Sequence, residues 1–108
     1  MNKNETIAKH IWHDILQCSR RPLAWGLELE SIKVIENGTS FKVDSMIQGL
    51  VKIQKYEDSY SITILPDNIG GTLAYMAKEE KLISTIDEVV RQGILCKNTD
   101  SPTLRIAV

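Results

Sequence analysis

His10, His13 and Asp14 are the one place in this chain where residue types suited to acid–base or metal chemistry stand close together. On a helix, positions i, i+3 and i+4 share a side, so His10 and Asp14 could present an imidazole and a carboxylate to one ion. The set supplies three ligands at most, fits no zinc signature and has no downstream His or Cys at a supporting spacing, so a solvated helix pair is expected and no metal. Nucleophiles are no better placed. No serine sits in a GxSxG turn, and five residues separate Cys18 from His13, which points the two side chains in different directions on a helix. Gly70-Gly71 lacks the downstream Lys and Ser or Thr of a phosphate-binding loop and is expected to be a turn. No catalytic residue and no cofactor is expected.

Contact surfaces are better represented. Trp12 and Trp25 flank Arg20-Arg21 in sequence, and Trp and Arg are the residues that most often anchor protein interfaces. Trp12 borders the apolar stripe of an N-terminal helix. Trp25 opens the first strand on a phase that a bulge would send to the far side of the sheet; otherwise both tryptophans cap the core at its margin. That second sheet face would carry Ile35, Met46 and Leu50 among Lys42, Asp44, Gln48 and Lys52, apolar enough for a modest contact or a homodimer.

The 108 residues suffice for one domain, which at this size buries about 65% of the surface its unfolded chain exposes. A hydrophobic share of 43% with 25% charged residues is that of a globular protein. The net charge of −1 arises from 13 basic and 14 acidic residues interspersed along the chain, and Arg20-Arg21 is too small a basic patch to favour nucleic acid. Cys18 and Cys96 lack CxxC spacing and read as reduced thiols. With no apolar run of signal-peptide or membrane-span length, the expected location is the cytoplasm.

The elements that must position these residues follow from periodicity. Ile7, Ala8, Ile11, Ile15 and Leu16 recur at helical spacing and predict a helix over 4–20, capped by Asn4 and stopped by Pro22. Strands are expected over 25–36, with a bulge near Glu30-Ser31, and over 39–47, 50–56 and 59–65. A fifth strand over 72–76 competes with an early helix start. Leu82, Ile83, Ile86, Val89 and Val90 predict a helix over 78–92, although Ser84-Thr85-Ile86-Asp87 could begin it later; 103–108 is a short edge strand or a tail for a partner to order.

Three turns set the expected register. Asn37-Gly38 as a type I′ pair puts Val34 opposite Phe41 and Ile32 opposite Val43. A three-residue loop with Gly49 in the left-handed position puts Ile47 opposite Val51. A turn over Glu57-Asp58 puts Ile53 opposite Ile62 and Val51 opposite Ile64. All three keep one face apolar, and the implied fold is a two-layer α+β domain over 1–108: an antiparallel meander of four or five strands with N-terminal and C-terminal helices on one face.

The run AWGLELESIKVIENGTSFKV, with the later LISTIDEVV, resembles small uncharacterised α+β proteins of gut-bacterial phages and mobile elements. The resemblance implies a bacterial cytoplasm and modulation of a host or element protein, and carries no activity with it. The helix–strands–helix order is similar to that of double-stranded RNA-binding domains, but their Lys-rich second-helix start is replaced here by Lys78-Glu79-Glu80-Lys81, whose charges cancel. A non-enzymatic interaction or regulatory module, with a protein partner or a second copy and no membrane, is the expected function. Its rivals are a nucleic-acid-binding accessory protein, signalled by Lys33, Lys42, Lys52 and Lys55 in one stripe, and a small enzyme, signalled by a deep pocket joining a His to a carboxylate from separate elements.

Overall fold

A computed structural model describes residues 2–67 and 71–91. The chain forms a helix, α1 (Lys3–His10), continued by a π-helical turn (Ile11–Ile15) and a 3₁₀ turn (Leu16–Cys18); a second 3₁₀ turn (Arg21–Trp25) follows. Five strands, β1 (Glu28–Ile35), β2 (Gly38–Asp44), β3 (Gln48–Tyr56), β4 (Ser59–Pro66) and β5 (Leu73–Ala77), make one antiparallel sheet in sequential order, and α2 (Glu79–Val90) closes the described chain. Both helices pack on the apolar face, which is the α+β meander expected from the sequence, and the fifth strand expected over 72–76 forms over Leu73–Ala77. Residue 92, Cys96 and the 103–108 segment lie outside the described residues. No described helix is long and apolar enough to cross a membrane.

The N-terminal helix departs from expectation in two ways. Asn2, not Asn4, is its cap: the Asn2 side chain accepts from the Glu5 N–H at 2.8 Å while Glu5 accepts from the Asn2 N–H, a reciprocal capping box. The Asn4 side chain instead accepts the Asn37 N–H at 2.9 Å and ties the helix to the first hairpin. Past His10 the α-helix gives way to the wider π turn and then to a 3₁₀ turn, with Ile11, Ile15 and Leu16 all in the core.

The third hairpin has the expected register, Ile53 opposite Ile62 and Val51 opposite Ile64, with Glu57 at φ 56° in the turn. The first two hairpins differ. Ile35 pairs with Gly38, so Glu36-Asn37 form the turn and Val34 lies opposite Thr39 rather than Phe41. Gly38 is drawn into the ladder, where a Cβ would run into the Ile53 carbonyl. The second loop is Ser45–Ile47, which sets Phe41 opposite Val51 and Val43 opposite Gly49. Ile47 leaves the strand because its side chain enters the core and its N–H donates to the Val90 carbonyl at 3.0 Å, at the end of α2.

A bulge does break β1, between Glu28 and Lys33, as the change of phase predicts. Ser31 fills the gap: its hydroxyl accepts the Lys42 N–H at 2.7 Å and donates to the Glu28 carbonyl at 2.6 Å, replacing a ladder bond with a side chain.

Trp25 does not open the strand. It ends the second 3₁₀ turn, fully buried, stacked on Phe41 at 6.3 Å and 10°, with its indole N–H donating to buried Asp87 Oδ1 at 2.9 Å. Asp87→Ala leaves that N–H buried and unpaired, and is expected to lower the unfolding free energy by about 2 kcal/mol in urea denaturation. A loss under about 0.5 kcal/mol, the range of ordinary surface changes, would count against this role for the bond. Gly38→Ala should destabilise by about 1–3 kcal/mol in the same assay, because β3 must shift to admit the methyl group.

Candidate functional site

Two clusters gather the residues that the sequence singles out. The first is polar. His10, the last residue of α1, donates from Nδ1 to Asp14 Oδ2 at 2.6 Å and, when doubly protonated, from Nε2 to Glu79 Oε1 at 3.1 Å. Glu79 starts α2 and is 69 positions away in sequence, so the expected solvated pair is a three-membered clamp between the two helices. The hydrogen bond to Glu79 leads in raising the His10 pKa, and Asp14 adds to it against a partial loss of hydration. Tyr60 lies beneath, its hydroxyl pushed up to about 12 by burial first and then by the Glu79 charge. Lys55 stands over the Tyr60 ring at 5.0 Å.

Chemically this clamp has little to offer. With both ring nitrogens engaged, His10 has none left for a metal, and among the described residues no group of three or more His, Cys, Asp or Glu is arranged to hold one. A His and a carboxylate from separate elements do meet, yet the adjoining depression between Asp14, Ile15, Glu79 and Ile83 is open rather than deep. His13 is exposed and outside the cluster, its carbonyl accepting from the exposed Cys18 thiol at 3.6 Å.

The second cluster is apolar and centres on Trp12. Its indole N–H donates to Thr39 Oγ1 at 3.0 Å and its ring meets Phe41 edge-on at 5.3 Å, which fixes the side chain half in the core. On one side of it opens a groove of about 450 Å³ floored by Leu16, Pro22 and Leu27 and walled by Leu23, Leu29 and Arg20. Leu23 is 81% exposed and Leu29 75%, a state that the core does not require. On the other side of Trp12 a second groove runs between α1 and β1, past Ala8, Ile32 and the half-exposed Val34. The two grooves have Trp12 in common as a lining residue and together make up a furrow in two halves.

The remaining predicted contact residues lie apart. Trp25 is sealed in the core. Arg21 is exposed and does not line the groove, its backbone N–H donating to Ser19 Oγ at 3.2 Å. Met46 is exposed in the β2–β3 loop, and Leu50 lies on the outer sheet face between Lys42 and Leu65. On that face the register places Lys33, Ser40, Lys52 and Thr63 in one cross-strand row, with Lys42 in the next. Lys55 is on the other face, and Glu28 stands directly across from Lys42. The sequence pattern missed Leu23 and Leu29 as contact residues because their exposure depends on the 3₁₀ turn and the bulge.

No protein-family model, curated protein or solved structure matches the chain.

Because the clamp raises the folded-state pKa of His10, its contribution is full below about pH 6.5, the ordinary histidine value, and is lost as pH rises through the raised value. Urea midpoints should therefore fall between pH 6 and pH 8.5 in the wild type and stay level over that window in His10→Gln. Parallel curves for the two proteins would show that the clamp does not bear on stability.

Proposed function

We propose that this protein is a non-enzymatic interaction module whose contact surface is the furrow on either side of Trp12. The observation that carries this reading is the exposure of Leu23 and Leu29 beside a half-buried, rigidly held tryptophan. Apolar side chains left this open cost solubility and contribute nothing to the core, whereas an aromatic anchor ringed by aliphatic groups is what a partner's side chains can desolvate. The resemblance to small phage and mobile-element proteins suits such a role, in which a short protein acts by binding another in a bacterial cytoplasm.

The nucleic-acid alternative draws less support: of the outer-face lysines, Lys33 and Lys42 share their depression with Glu28 and Glu30, so the local charge there cancels. An enzymatic reading draws less again, since the His10 cluster, which alone among the described residues joins a His to carboxylates, is internally satisfied.

The test is capture from lysate treated with nuclease, comparing the wild type with a Leu23→Glu/Leu29→Glu variant shown by circular dichroism and thermal unfolding to keep its fold. A specific protein retained by the wild type and lost by the variant is expected. Equal capture by both, or recovery of nucleic acid alone before nuclease treatment, would overturn the proposal.

A further inference from the structure

We infer that Glu79 exchanges hydrogen-bond partners when His10 loses its proton: it pairs with the His10 imidazolium while the ring is charged, and takes the hydroxyl of Tyr60 once the ring is neutral. Two atoms set this up. The first is the Tyr60 hydroxyl, which is sealed from solvent and makes no hydrogen bond in the conformation where Glu79 faces His10. A buried hydroxyl without a partner is an unmet demand for an acceptor. The sheet holds one close by: Tyr60 of β4 pairs with Ala77, two residues before Glu79, and the Glu79 charge already bears on the Tyr60 hydroxyl.

The second atom is Nε2 of His10. Its ring neighbour Nδ1 holds Asp14 Oδ2 at 2.6 Å, whereas Nε2 stands 3.1 Å from Glu79 Oε1. A neutral imidazole keeps one proton, and the tighter contact keeps it on Nδ1, which leaves the Nε2 lone pair facing a carboxylate oxygen. Glu79 then has no donor there, and its side chain, 49% exposed, has room to turn. The other ionisable groups around the pair replace neither partner. Glu80 shares a depression with Asp14 and Glu79 and brings no donor, Lys78 is engaged with Asp58 at 3.7 Å, and Lys55 stands over the Tyr60 ring at 5.0 Å. Tyr60, pushed up to about 12 by burial first and then by Glu79, keeps its proton through the neutral range and so remains a donor. Protonation thus ties the start of α2 to the end of α1, and deprotonation ties it to the sheet instead.

The two histidine rings, followed by NMR in the full chain, test this. The Tyr60 bond favours the neutral form of His10, so removing it in Tyr60→Phe is expected to raise the His10 titration midpoint by about 0.5–1 pH unit, the equivalent of one hydrogen bond, while His13 does not move. In the wild type near pH 8.5 the ¹⁵N shifts of His10 should place its proton on Nδ1, and the Tyr60 hydroxyl proton should give a resolved downfield resonance that is absent near pH 5.5. Those two readings need no substitution, so they decide the matter even if Tyr60→Phe does not fold. An unchanged or lowered His10 midpoint in Tyr60→Phe, a neutral ring protonated on Nε2, or a Tyr60 hydroxyl resonance indifferent to the His10 titration would each overturn the exchange.

Discussion

The Trp25 indole lies in the middle of the apolar layer, where an N–H without an acceptor would cost about 1–3 kcal/mol, and Asp87 of α2 supplies that acceptor. The requirement propagates. Asp87 must be buried, with Arg91 at 3.6 Å as its nearest counter-charge, so the last turns of α2 are pinned over the 3₁₀ turn that carries Trp25. Trp25 stacks on Phe41, and Phe41 in turn meets Trp12 edge-on. A line of three aromatic rings thus runs from a buried carboxylate to the surface furrow. The residues that wall the furrow, from Pro22 to Leu29, hang from the same 3₁₀ turn, so the shape of the outside depends on one hydrogen bond inside.

How legible this was in the sequence depends on the range of the interactions involved. The Glu57-Asp58 turn is local, and its register could be read from the alternation of Val51, Ile53, Ile62 and Ile64. The other two hairpins yielded to distant demands. Gly38 is taken by the close approach of Ile53, and Ile47 is taken by the carboxyl end of α2, 43 residues further along the chain. Periodicity cannot register either claim. It did register which residues of the N-terminal segment are buried, Ile11, Ile15 and Leu16, while missing the π turn that carries the first two.

The candidate surface was partly legible for the same reason. Trp12 and Arg20 could be singled out by type. Leu23 and Leu29 carry no contact signal in a linear reading, and it is the 3₁₀ turn and the bulge that leave them exposed. His10 and Asp14 were visible as neighbours on a helix, but Glu79, whose hydrogen bond does most to raise the histidine's pKa, lies 69 positions further along the chain.

The serine that interrupts β1 has one more consequence. An outermost strand with Leu29 and Val34 exposed is the kind of border at which copies of a protein join into fibrils, through backbone groups that find one another. By giving its hydroxyl to Lys42 and Glu28, Ser31 closes the inner ladder while the surrounding residues bow out of line, with Glu28, Glu30 and Lys33 spaced among them. A sticky side-chain surface can then coexist with a backbone border that resists templated aggregation.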